Sequence, residues 1–115
     1  LPADNHLAVW STAGEDRGRM RAAFPRLMND LMFFGAPAVA DIDGDGRPEA
    51  IVGSGSYDLH AFDGDGVEPD GWPKFTGGWS IGSPAVGDLD GDGLLEVASL
   101  TREGHVFVWR SSGPE

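Results

Sequence analysis

The sequence contains no cysteine, few basic residues and no long hydrophobic run. Without cysteine it has no disulfide, no thiolate metal site and no cysteine nucleophile. Its 8 Lys and Arg stand against 19 Asp and Glu, a net charge of −11, which is the wrong sign for binding nucleic acid or an anionic membrane surface. The longest nearly apolar stretch, residues 31–40, includes a glycine and a proline and is too short for membrane insertion.

The composition is that of one small folded domain. At 40% hydrophobic residues the chain can bury a core, so its acidity does not indicate disorder. A length of 115 residues makes two separately cored domains unfavourable. The first residues lack the basic and apolar regions of a signal peptide, so we expect any targeting segment to have been removed or to lie outside this sequence.

An internal repeat organises the chain. Residues 35–46 return as residues 82–93 at an offset of 47, and the same offset carries Glu49 onto Glu96. A weaker third copy begins at residues 7–10. The chain is therefore a tandem array of about two and a third units.

Each unit contains four segments with strand character, which are short, rich in Val, Ile and aromatic residues, and bounded by Gly and Asp. In the complete unit they are residues 37–42, 49–53, 59–62 and 72–75. Four strands in a period of 47 residues predict an all-β fold of antiparallel β-propeller blades. The predicted segments are a partial blade with the third and fourth strands (1–34), a full blade (35–81) and an incomplete blade (82–115).

The predicted blades are too few to close a propeller, which needs roughly four to eight of them. We therefore expect a portion of something larger, or a protomer whose partners are other blades of the same or neighbouring chains. Trp10, Phe62 and Trp109 occupy equivalent positions in the three units and are predicted to pack between blades.

Two acidic loops repeat one pattern of oxygen donors: loop 1 (residues 41–49) and loop 2 (residues 88–96). Each has carboxylates at positions 1, 3, 5 and 9 and a glycine at position 6. Alternate Asp side chains, the carbonyl of position 7 and a later acid can supply the six to eight oxygens that Ca²⁺ prefers, and the glycine permits the sharp turn. Four mutually repelling carboxylates would be unfavourable without a cation. Each loop is therefore predicted to bind one Ca²⁺, and Mg²⁺ is disfavoured because it prefers an octahedral site with retained waters.

The competing interpretation is that an acidic loop is only an Asp-Gly turn between strands. We favour that interpretation for residues 63–66, because the counterparts at residues 110–113 and 11–14 keep the turn character and lose the acids. Loops 1 and 2, by contrast, both keep all four acids.

The complete unit resembles the FG-GAP repeat, also called the VCBS repeat, of integrin α-subunit propellers and many secreted bacterial proteins. The matching residues are Phe34-Gly35-Ala36-Pro37 followed by Asp41-x-Asp43-x-Asp45-Gly46-x-x-Glu49, and the second copy has Ile81-Gly82 in place of the Phe-Gly start. The resemblance implies a seven- or eight-bladed propeller that binds Ca²⁺ between the first and second strands of a blade. The ligands it implies are Asp41, Asp43, Asp45, Arg47 and Glu49 in loop 1, and Asp88, Asp90, Asp92, Leu94 and Glu96 in loop 2.

No catalytic pattern accompanies these loops, so we do not expect an enzyme. The three histidines do not recur in phase, and neither Gly-x-Ser-x-Gly nor His-Glu-x-x-His occurs. We interpret the chain as a calcium-binding β-propeller module that acts in structure, adhesion, or protein or carbohydrate binding. Exposed loop-built sites bind Ca²⁺ at about 10⁻⁴ to 10⁻³ M, which favours an extracellular, cell-surface or periplasmic location.

Two alternatives stay open at this point. The chain could be a non-catalytic part of a secreted propeller enzyme, such as a polysaccharide lyase or the accessory domain of a peptidase. It could also be a subunit that docks onto a larger extracellular assembly.

Overall fold

The computed structural model describes residues 6–28, 35–54 and 57–111, and all regular secondary structure in these ranges is β-strand. None of the described residues forms a helix long and apolar enough to cross a membrane. The nine strands in chain order are β1 (His6–Leu7), β2 (Arg26–Leu27), β3 (Ala38–Ala40), β4 (Glu49–Gly53), β5 (Asp58–Phe62), β6 (Lys74–Phe75), β7 (Ala85–Gly87), β8 (Glu96–Leu100) and β9 (Val106–Arg110).

The strands form three antiparallel sheets in which neighbours in sequence are neighbours in space. Sheet A pairs β1 with β2, sheet B has the order β3-β4-β5-β6, and sheet C has the order β7-β8-β9. The expected all-β fold of antiparallel sheets is confirmed, sheet B has the four strands predicted for a complete unit, and the three sheets are consistent with part of a β-propeller. One sheet lies in each predicted segment. The segment boundaries remain a prediction, because residues 29–34 and 112–115 lie outside the described residues.

Strand lengths follow the chemistry of the adjoining loops. β4 has the predicted bounds, whereas β3 is shorter than residues 37–42 because Asp41 and Ile42 already belong to loop 1. Residues 7–10, which parallel the third strand of the complete unit and are therefore predicted to form a strand, are regular only at Leu7, since β1 is His6–Leu7. The chain beyond β1 is held by an isolated bridge between Trp10 and Met20.

Two core layers lie between adjacent sheets, and sheet B contributes to both. Successive residues of a strand point to opposite faces, so Ile51 of β4 packs toward sheet C while Val52 packs toward sheet A. The layer shared by sheets B and C contains Ile42, Ile51, Leu59, Ala61, Trp72, Val97 and Trp109. The layer shared by sheets A and B contains Leu7, Phe24, Met28, Val52 and Phe62.

The prediction that three equivalent aromatic residues pack between blades holds for two of them. Phe62 and Trp109 are 6% and 7% exposed, and each faces the preceding sheet. Trp10 is 53% exposed, so the prediction is wrong for this residue within the described structure. The physical reason is that Trp10 lies beyond the end of β1, where an isolated bridge to Met20 holds it at the edge of an open groove and outside both core layers.

Candidate metal centre

Each acidic loop connects the first two strands of a sheet and is closed by a strand pair. Ala40 pairs with Glu49 at the base of loop 1, and Gly87 pairs with Glu96 at the base of loop 2. The first and last acids of each loop therefore meet at the end of a hairpin. Each acidic loop therefore lies between the first and second strands of its sheet, as expected.

The first aspartate of each loop folds the loop around its own carboxylate. Asp41 Oδ1 accepts the N–H of Gly44 at 2.8 Å, and its Oδ2 accepts the N–H of Gly46 at 2.9 Å. Both glycines have positive φ, 78° and 88°, a region that a side chain would disfavour. Asp88 makes the equivalent two bonds in loop 2, also at 2.8 and 2.9 Å.

The second and third aspartates are oriented by backbone N–H groups two residues further on. Asp43 Oδ1 accepts the N–H of Asp45 at 3.1 Å, and Asp45 Oδ1 accepts the N–H of Arg47 at 2.7 Å. The equivalent bonds of loop 2 measure 3.1 and 2.8 Å and involve Asp90, Asp92 and Leu94. A carboxylate has about four acceptor sites, so each aspartate retains capacity for a cation.

The glutamate at position 9 is buried in both loops. Glu49 is 0% exposed, and its Oε2 accepts the N–H of Ile42 at 2.9 Å. Glu96 is 6% exposed, and its Oε2 accepts the N–H of Leu89 at 2.7 Å. The other oxygen of each carboxylate, Oε1, is buried and has no hydrogen-bond partner. A buried acceptor without a partner is unfavourable, so each glutamate has an oxygen that a cation would satisfy.

The environment of Glu49 disfavours its charged form. Burial raises the pKa of Glu49, the hydrogen bond from Ile42 opposes that change, and the nearby charges of Asp43, Asp45 and Asp41 raise the pKa further. The local field of loop 1 is therefore negative enough that a bound cation would be favoured.

The carboxylates of each loop converge, although the convergent sets differ. Oxygens of Asp41, Asp43 and Asp45 lie within 4.8 Å of one another in loop 1. In loop 2 the oxygens within that distance belong to Asp88, Asp90 and Glu96. Two oxygens that both contact one Ca²⁺ at 2.3–2.6 Å can be at most about 5 Å apart, so both sets fit one ion. Glu49 and Asp92 lie outside these close sets.

The two residues at position 7, Arg47 and Leu94, each donate a backbone N–H to the aspartate before them. The ligand role of their carbonyl oxygens stays a prediction. The Arg47 side chain also forms an ion pair with Asp65, with Nη1 3.2 Å from Oδ2. The sequence gives no signal for this ion pair, because Arg47 does not recur at the repeat offset and Asp65 lies 18 residues away.

The third acidic stretch, residues 63–66, has the hydrogen bonds of a turn. Asp63 Oδ1 accepts the N–H groups of Asp65 at 2.8 Å and Val67 at 2.9 Å. In the described part of the chain, neither of its aspartates belongs to a close group of three metal-binding side chains. This arrangement fits the interpretation of residues 63–66 as a connecting turn.

Tandem antiparallel sheets, two of which have an acidic loop between their first and second strands, define a repeat array of the β-propeller type. A family model described as "FG-GAP-like repeat" matches residues 41–99, just over half of the chain, and the chain belongs to this family. The matched range includes both acidic loops, and it confirms the resemblance. A comparison with curated proteins found no match.

Proposed function

We propose that this chain is a calcium-binding β-propeller module in which loops 1 and 2 each hold one Ca²⁺. The observation that carries the proposal is the pair of buried glutamates, Glu49 and Glu96, each of which has an unpartnered oxygen and closes a loop that contains a convergent set of three carboxylates. The donors are all oxygen, which suits a hard cation, and they recur at the same positions in two loops. The proposed ligands are the carboxylates at positions 1, 3, 5 and 9 with the carbonyl at position 7.

The proposed role of the ion is structural. When bound, Ca²⁺ would offset half of the negative charge of the four carboxylates and link the two strands that each loop connects. Position 9 is the first residue of β4 in one sheet and of β8 in the other, so each loop is anchored directly to a central strand. Binding to the folded state alone would stabilise that state in proportion to the logarithm of the free calcium concentration.

Calorimetric titration of the metal-free chain with Ca²⁺ tests the proposal. We expect two ions per chain with dissociation constants of about 10⁻⁴ to 10⁻³ M, the range of extracellular calcium modules. Mg²⁺ at the same concentration should bind more weakly, because a crowded all-protein oxygen site suits the larger ion. Absence of saturable Ca²⁺ binding would refute the proposed function.

The module is proposed to act through structure and binding rather than catalysis. In support, His60 is held by Glu68, with Nδ1 3.0 Å from Oε1, and the same oxygen accepts the N–H of Ala61. This histidine therefore has a structural environment within a strand. Extracellular, cell-surface or periplasmic calcium would suit sites in this affinity range, and an extracellular protein or carbohydrate is the proposed kind of ligand.

An apolar groove favours a second role, as a subunit completed by neighbouring copies. The groove has a volume of about 410 Å³ between sheets A and B. Exposed Trp10 and Val39 line it, together with buried Leu7 and Phe62. Among the described residues sheet A has two strands and sheet B has four, and the groove lies beside this shorter sheet. Strands from a neighbouring copy are the proposed occupant, since a sheet edge beside apolar side chains is suited to strand addition.

The mass of the protein in solution tests this second role. If neighbouring copies fill the groove, light scattering should give a mass above the 12.1 kDa of one chain. Trp10→Ser should reduce the association, whereas Leu89→Ser, in loop 2 and 64% exposed, should leave it unchanged. A stable monomer at high protein concentration would contradict strand completion between copies.

A further inference from the structure

Loops 1 and 2 share most of their backbone hydrogen bonds, although loop 2 has one more, from the Asp92 N–H to Asp88 Oδ1 at 3.1 Å, and they differ in charge at position 7. Arg47 occupies this position in loop 1, and Leu94, which is 55% exposed, occupies it in loop 2. The convergent sets also differ, since Asp45 belongs to the set of loop 1 and Asp92 does not belong to that of loop 2, and Arg47 adds one positive charge beside the set of loop 1. A fixed charge beside a cation site changes its affinity, because it interacts with the ion and with the ligands.

The Arg47 guanidinium contacts Oδ2 of Asp45, while the other carboxylate oxygen, Oδ1, accepts a backbone N–H. Asp45 Oδ1 accepts the N–H of Arg47 at 2.7 Å, while Oδ2 lies 3.4 Å from Arg47 Nε. Oδ2 is therefore in contact with a cation that belongs to the protein itself. In loop 2, Asp92 Oδ1 makes the equivalent backbone bond to Leu94, whose side chain carries no charge to place at Oδ2.

A second carboxylate offers Arg47 an alternative partner. Asp65 Oδ2 lies 3.2 Å from Arg47 Nη1, and Asp65 Oδ1 lies 3.6 Å from Nη2 of Arg21. Arg21 is itself held by a hydrogen bond from Nε to the carbonyl of Gly64 at 2.7 Å. Asp65 can pair with Arg47 when Asp45 is engaged by another cation, so the guanidinium keeps one carboxylate partner.

We propose that Arg47 is an internal competitor for Asp45 that makes loop 1 the weaker of the two calcium sites, so that loop 2 fills first. This inference rests on the proposed calcium binding and adds an order of filling to it. The competing contacts are exposed, so their effect is modest. A surface ion pair and a like-charge repulsion across several ångströms together correspond to about a three- to tenfold difference in dissociation constant.

Single-site variants of the full chain allow each loop to be measured alone by calorimetric titration with Ca²⁺. Asp90→Asn should leave loop 1 as the functional site, and Asp43→Asn should leave loop 2. We expect loop 1 to bind Ca²⁺ about three- to tenfold more weakly than loop 2. Adding Arg47→Leu to the Asp90→Asn chain should remove most of that difference, and adding Leu94→Arg to the Asp43→Asn chain should create a similar one in loop 2.

The outcomes separate this inference from the proposed function. Equal affinities of the two loops, or an unchanged affinity after Arg47→Leu, would overturn the competitor role while calcium binding itself stands. Absence of Ca²⁺ binding in the unmodified chain would instead overturn the proposed function. Circular dichroism of each variant, which should keep the β-sheet spectrum of the parent, verifies that a changed affinity does not come from unfolding.

Discussion

Removal of calcium is expected to lower the melting temperature of this protein by more than about 10 °C. At a Ca²⁺ concentration of 100 times the dissociation constant, each site stabilises the fold by about 2.7 kcal/mol. Two such sites together give about 5 kcal/mol, which is comparable with the whole stability of many small domains. Thermal unfolding in excess Ca²⁺ and in excess chelator measures the difference directly.

A pair of Asp→Asn variants distinguishes calcium binding from general charge effects. Asp43→Asn removes a proposed ligand from loop 1 and should abolish about half of the calcium-dependent stabilisation. Asp63→Asn removes the same charge from the turn at residues 63–66, where the carboxylate accepts two backbone N–H groups. The asparagine oxygen can still accept those bonds, so the Asp63 variant should respond to calcium like the parent. Equal melting with and without chelator in the unmodified chain would count against calcium as a structural ion.

Local patterns in the sequence were sufficient to predict the β-architecture and the positions of the two loops. β4 lies at the predicted residues because it alternates apolar side chains between two buried faces and follows an acidic loop with glycines. The repeat offset of 47 also predicted that the loops would be equivalent, and the two hydrogen bonds that the first aspartate accepts from the glycines are the same in both.

Features that depend on contacts between distant residues could not be predicted in this way. The exposure of Trp10 depends on which sheets surround it, and that information is not contained in the residue type. The ion pair between Arg47 and Asp65 joins two loops of one sheet, and the next repeat has leucine in place of Arg47. The unpartnered oxygen of Glu49 depends on burial by the surrounding strands. The repeat period identifies equivalent positions in the two loops. Which charged side chains contact each loop depends on the residues that surround that loop in the folded chain.

The effect of Glu49→Gln on stability is expected to change sign with calcium. Without calcium, the substitution removes a fully buried carboxylate with an unpartnered oxygen, while the side-chain carbonyl of glutamine can still accept the N–H of Ile42. The variant should therefore be more stable than the parent in chelator, by about 1 kcal/mol. In excess Ca²⁺ it should be less stable than the parent, because a neutral amide replaces a charged ligand and most of the stabilisation by loop 1 is lost.

Glu68→Gln is the matched control for this sign change. Glu68 also accepts a backbone N–H, that of Ala61, but it pairs with His60 outside the acidic loops. Its substitution should lower stability by a similar amount with and without calcium, since no proposed calcium ligand is altered. Denaturant unfolding of the parent and both variants, in Ca²⁺ and in chelator, gives the four differences in free energy of unfolding between variant and parent. If the Glu49 variant is less stable than the parent by the same amount in both conditions, Glu49 serves only to accept the N–H of Ile42. That result would contradict Ca²⁺ binding by Glu49 in loop 1.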